Sequence, residues 1–86
     1  MNIEFIGNCV QNDNFQISFQ AKVDGQPIVC VVSTEALQDI NPNTRTRPVA
    51  SQCVDNKSKL EAIATKKIQD GQVENGKVFI SQSDVL

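Results

Sequence analysis

The sequence predicts a small α+β domain in two layers. An antiparallel sheet of about four strands carries one short and one long helix on one face, in the order β-β-β-α-α-β. Three observations carry that prediction. Residues 15–23, FQISFQAKV, alternate apolar and polar side chains, the period of two that sets one face of a strand on a core and the other in water. Asp24-Gly25-Gln26-Pro27 then reverses the chain into Ile28-Val29-Cys30-Val31-Val32, because Gly tolerates positive φ and Asp bonds its own downstream backbone. Finally, Pro48 suits the first turn of a helix and Gly71 the residue after its last. Between them Val49, Cys53, Leu60, Ile63 and Ala64 fall on one helical arc, with Ile68 at its margin.

Taken in order, residues 3–6 form a short strand, expected at an edge, and residues 7–14 have the Gly, Asn and Asp content of a loop. The strand over 15–23 points Gln16, Ser18, Gln20 and Lys22 to solvent. Residues 28–32 are apolar and β-branched without alternation, so they read as the central, more buried strand. Ser33 and Thr34 can cap a helix that runs to Ile40, with Glu35 suited to its positive end and Leu37 and Ile40 on one side. It stops at Asn41-Pro42, because the residue before Pro disfavours the helical region.

A loop over 43–47 leads to the principal helix, residues 48–70. Asn56-Lys57-Ser58 are middling helix formers at its centre, which leaves a bend or break open there. Asp55 with Lys59, and Lys66 with Asp70, are spaced to pair along its edge. Asn75-Gly76 turns the chain into a last strand over 77–81, and in the tail Val85 and Leu86 either pack back or fray. The expected core brings Phe15, Phe19, Ile28, Val31 and Phe79 of the sheet against Leu60, Ile63 and Ile68 of the helix.

The totals bound the function. Eighty-six residues make one domain, and at this size folding buries only about 60–65% of the surface of the unfolded chain. No apolar run approaches the ~20 residues of a membrane helix, and MNIEFIGN lacks a signal-peptide pattern, so a soluble cytoplasmic protein without membrane contact is expected. Cys9, Cys30 and Cys53 are odd in number and widely spread, which favours free thiols over a disulfide framework. With no His and no CxxC pair, neither a structural metal nor a cofactor is expected.

The net charge of -2 divides into +4 over residues 45–67 and -6 elsewhere. Arg45, Arg47, Lys57 and Lys59 are therefore the candidate polyanion contacts, set against the ordinary reading of a solvated basic helix. Nucleic acid is disfavoured, since single-strand readers also need aromatic platforms and all four Phe lie in strand-like segments. An exposed Phe5 would revive the idea.

Several stretches carry a family resemblance. Met1-Asn2-Ile3-Glu4-Phe5, then residues 19–25 (FQAKVDG) and 28–37 (IVCVVSTEAL), resemble the bacterial domain of unknown function family 1488. Leu60-Glu61-Ala62-Ile63-Ala64 with Lys67-Ile68 look like that family's helix segment, and Gly76-Lys77-Val78-Phe79-Ile80 with Asp84 like its ending. Cys53 departs from the pattern, standing where a bulky aromatic is expected, and aromatics are missing from residues 7–14. The resemblance implies a small α+β domain with an antiparallel sheet and brings no activity with it.

No motif names an activity. Without His, acid–base chemistry would fall to a carboxylate, Lys or Cys with a displaced pKa. Cys9, in a polar loop, and Cys30, in an apolar run, are the candidate reactive thiols, each weighed against a small hydrophobe. Glu35 and Glu61 would make a carboxylate pair only if the fold joined them. The expectation is a non-catalytic binding or regulatory accessory protein with an unidentified protein partner, and pairing through an exposed edge strand into a homodimer is its extension. The competing readings are a small thiol- or carboxylate-dependent enzyme and a nucleic-acid binder using residues 45–67.

Overall fold

In the computed structural model the described residues are 2–11, 16–41, 43 and 46–85, with Val49 described by its backbone alone. Phe15, Arg45 and Leu86 lie outside them, as does the side chain of Val49. The described elements run β1 (Ile3–Gln11), β2 (Ile17–Val23), β3 (Gln26–Val32), α1 (Thr34–Ile40), α2 (Val49–Asp55), α3 (Lys57–Gln69), β4 (Lys77–Ile80) and α4 (Gln82–Val85). The sheet order is β1-β2-β3-β4. The expected α+β class stands, with one pairing changed: β4 runs parallel to β3, so the sheet is mixed where an antiparallel one was expected. Helices intervene between these two strands, and a helical crossover is what parallel neighbours require.

The hairpin forms as its sequence directs. Asp24 and Gly25 both take positive φ, 51° and 86°, the signature of the two-residue turn whose twist matches that of the flanking strands. Pro27 therefore lies within β3, paired with Lys22. β4 reaches β3 only from Val29 onward, so the N–H that Pro lacks is not needed on that side. β1 is longer than expected and takes up residues 7–11 of the segment read as a loop. Its register against β2 jumps between Ile6, opposite Gln20, and Val10, opposite Ser18, which is a bulge at residues 7–9.

One face of the sheet builds the core. Ile17, Phe19 and Ala21 of β2, Cys30 and Val32 of β3, and Val78 and Ile80 of β4 are all buried. They meet Leu37 of α1, Cys53 of α2, and Leu60, Ala64 and Ile68 of α3. Two expected core residues are on the other face. Val31 is half-buried and Phe79 is 51% exposed. Ile28, Cys30 and Val32 are the buried set on β3, so alternation holds in a run whose composition hides it.

The long helix is interrupted at one residue. Asn56 takes φ -114° and ψ 18°, ending α2 and starting α3. Buried to 2% exposure, it donates its side-chain amide to the Gln52 carbonyl at 2.8 Å and accepts from Asn41 Nδ2 at 3.3 Å. The kink thus binds α2, α3 and the end of α1 through one polar side chain. The helix ends were legible. Ser33 Oγ accepts from the Ala36 N–H at 3.1 Å. Gly71, at φ 77°, closes α3 with the paired Gln72-to-Lys67 and Gly71-to-Ile68 backbone bonds of a glycine C-cap. The tail coils into α4, where Val85 packs on the core.

Candidate functional site

Among the described residues the fold does not gather the basic candidates, and Arg45 lies outside them. Arg47 bonds Asp55 at 2.7 Å, displacing the expected Asp55–Lys59 pair. Lys57 Nζ donates to the Gly7 carbonyl at 2.7 Å, and Lys59 is exposed on α3. Glu35 is exposed on α1 and Glu61 half-buried on α3, and neither lines any of the four surface hollows described. Phe5 is half-buried, its ring centroid 5.9 Å from that of Phe19. The exposure that would have favoured stacking on bases is therefore taken by the core.

The thiol expectations change. Cys9 and Cys53 are joined in a disulfide, Cα atoms 6.2 Å apart, where free thiols were expected. Cys9 sits at the β1 bulge facing the helical layer, and α2 carries Cys53 beneath it; the sequence separation of 44 hid the pair. Cys30 remains free but buried, and burial pushes its thiol up to about 11, which keeps it protonated and unreactive near neutrality. Among the described residues no three His, Cys, Asp or Glu side chains gather into a metal-binding group.

What the fold does assemble is an apolar row on the uncovered face of the sheet. The pairings place Val10 opposite Ser18, Ser18 opposite Val31, and Val31 opposite Phe79, so these four side chains line up across all four strands. Ile6, Gln20, Val29 and Lys77 form the next row in the same way. Val10 is 60% exposed, Phe79 51% and Ile6 37%. At the bulge the face sinks into a hollow of about 310 Å³, walled by Ile6, Gly7, Asn8, Val10 and Gln20. Single exposed apolar residues are ordinary on protein surfaces, as Val54 is on α2; apolar residues in register on β1, β3 and β4, interrupted at Ser18 and Gln20 of β2, are less so.

Sequence reading missed this face because it placed Phe79 and Val31 inward and left Val10 in a loop. The available signal was the period of two in KVFI, where Val78 and Ile80 share one face and Phe79 takes the other.

The two edges of the sheet are finished differently. Val29 N–H bonds the Gly76 carbonyl and Ser33 N–H the Ile80 carbonyl, so the backbone groups of Lys77 and Phe79 point away from β3. Glu74 exchanges both backbone bonds with Lys77 at 2.9 Å, and Lys67 Nζ takes the Phe79 carbonyl at 2.7 Å. Lys67 also pairs with Asp84 at 3.0 Å, and Asp84 accepts from the Ser81 N–H at 2.8 Å. Burial would raise the Asp84 pKa, but the Ser81 N–H, Lys67 and the Ser81 hydroxyl outweigh it and hold the carboxyl below its ordinary value.

On the other edge, the Asp24 N–H bonds the Asn2 carbonyl, which sets the alternation so that Ile3 and Phe5 turn their backbone groups outward. No bond between described residues closes that stretch.

A family model described as "Protein of unknown function (DUF1488)" matches residues 3–80. No curated protein matches the chain. Among solved structures, a protein of unknown function from the DUF1488 family of Shewanella loihica PV-4 is similar, at TM-score 0.74 and 20% identity. The match covers 93% of this chain and 94% of that one, and at this identity it speaks for the fold.

Proposed function

Because the chain belongs to the DUF1488 family, which brings no assigned activity, we propose from its geometry that it is a non-catalytic binding or regulatory accessory protein. Its partner is a protein with a complementary apolar surface, docked on the uncovered face of the sheet. The observation that carries this reading is the registered row of Val10, Val31 and Phe79 with Ile6 beside it, apolar side chains left in water on a face where none of the described helices packs.

Support for a non-catalytic role comes from the groups available for chemistry. The chain has no His; Cys30 is sealed in the core, and Cys9 is bonded to Cys53. Among the described residues no helix is long and apolar enough to cross a membrane. A cytoplasmic setting belongs to the same proposal: the unpaired Cys30 favours it, while the Cys9–Cys53 bond is a kind more usual in oxidising compartments and weighs against it.

The test compares the tagged wild-type protein with Phe79→Ser and Val10→Ser in pull-downs from native cell extract. The captured protein is identified, purified and retitrated against all three. Loss of at least tenfold in affinity, with unfolding midpoints unchanged, supports the open face. Equal affinity for all three removes it. Sedimentation of the pure protein shows whether a second copy is the occupant.

A further inference from the structure

We propose that Cys9 and Cys53 form a reversible thiol–disulfide site, entered at Cys9 by an external dithiol, that controls how firmly the β1 bulge is held. The inference deepens the docking reading and rests on it for its consequence, because the bulge walls the hollow on the open face.

The first argument is where the bond lies. Cys9 falls between Ile6 and Val10, where the β1 register jumps and Gly7 takes φ 75°. Among the described residues, two side-chain bonds tie this irregular stretch to the helical layer, from residues on either side of the Asn56 kink. Cys53 bonds Cys9 covalently, and Lys57 Nζ holds the Gly7 carbonyl. Breaking the S–S bond leaves, among the described residues, the exposed Lys57 contact as the side-chain bond that still holds the stretch. Ile6, Gly7, Asn8 and Val10, the stretch freed, are the wall of the hollow.

The second argument is the unequal access of the sulfurs. Cys9 is half-buried at the sheet edge, whereas Cys53 is at 0% exposure in the core. A thiolate from outside therefore attacks Cys9 Sγ, forming a mixed disulfide there and expelling Cys53 as a thiolate that takes up a proton. The second thiol of the dithiol then attacks its own sulfur in the mixed disulfide, releasing Cys9 and closing a disulfide within the reductant. Two electrons pass from dithiol to protein, which ends with two thiols. In the reverse direction Cys53 is the resolving thiol, held within reach of Cys9.

The third argument is that Cys30 cannot scramble the pair. It lies in β3 at 0% exposure and stays protonated near neutral pH. The site therefore exchanges between two forms and no third.

The test uses the intact chain in buffers of fixed reduced-to-oxidised dithiothreitol ratio, quenched with a maleimide–polyethylene glycol reagent and counted by gel shift. The expected result is a single transition from zero to one modified cysteine, Cys9, reversible from either direction, with Cys53 and Cys30, both at 0% exposure, unlabelled. Amide hydrogen exchange at residues 7–10 should rise at least tenfold on reduction while the β3 amides stay protected. Labelling of all three thiols on reduction would show that the bond is a staple for the whole fold and would overturn the proposal. So would resistance to reduction under native conditions, or unchanged exchange at residues 7–10. None of these readouts involves a partner, so their failure is distinct from failure of the docking face, which Phe79→Ser reports.

Discussion

Phe19 and Phe79 stand on one sheet, two strands apart, and face opposite ways. Phe19 is buried to 1% exposure between the sheet and the helices, while Phe79 is 51% exposed on the face that the described helices leave uncovered. The covered face takes its residues from β2, β3 and β4 and closes them with Leu37, Leu60 and Ile68. The open face mixes the polar Ser18, Gln20 and Lys22 of β2 with apolar residues on the strands to either side. A face that served only to meet water would carry polar residues on every strand, as β2 does. Burial on one side therefore explains the fold, and the apolar residues on the other side call for a different explanation.

The largest effect that separates the faces is expected from Phe19→Ala, which should cost about 3–5 kcal/mol in urea unfolding. That is a large part of the ~5–15 kcal/mol of a typical domain. A loss below about 1 kcal/mol would mean that the covered face is not the core. Next comes the bond where the bulge meets the helical layer. Cys9→Ala with Cys53→Ala should lower stability by about 2–4 kcal/mol, the usual range for releasing a loop of this kind. An unchanged midpoint would show that the bulge is held without it.

Asn56→Ala removes the side chain that joins the helix kink to Asn41 and should cost about 1–3 kcal/mol. A stabilised variant with a straighter helix would show that the kink is not required by the packing. Phe79→Ser, the open-face counterpart of the first substitution, should move stability by no more than about 0.5 kcal/mol while abolishing docking. A loss matching that of Phe19→Ala would erase the distinction between the faces.

The smallest expected effect is electrostatic. The folded-state pKa of Asp84 is lowered, so its contribution is fully present above the unfolded-state value and disappears as pH falls through the folded one. Acid titration of unfolding should show a slightly shallower slope in Asp84→Asn than in wild type. Superimposable curves would remove Asp84 from the account of the β4 edge.

These contrasts also show what could be read from the chain. The hairpin was legible because Asp24-Gly25 allows few alternatives, and the end of α3 because Gly71 is a local signal. Local chemistry fixes local geometry. The direction of β4 was not legible, since nothing in Lys77-Val78-Phe79-Ile80 distinguishes parallel from antiparallel pairing; the crossover through the helices decides it. The position of the kink was half visible in the propensities of residues 56–58, but a side chain that Asn56 meets there, Asn41, stands 15 residues earlier. The disulfide was invisible for the same reason, because it joins a strand to a helix that meet only in the folded chain. The open face was obscured because Phe79 and Val31 were set inward and Val10 was read as loop, so the row never formed.

The finish of the β4 edge has a consequence for assembly. With Glu74 exchanging both bonds with Lys77 and Lys67 seated on the Phe79 carbonyl, that margin gives little purchase to an incoming chain. Among the described residues, the Ile3 and Phe5 stretch is the part of the sheet's margin whose outward backbone groups stay open to a further strand. A sheet sealed along one margin can be lengthened only from the other, which works against runaway fibres even while the molecule keeps a greasy surface in water.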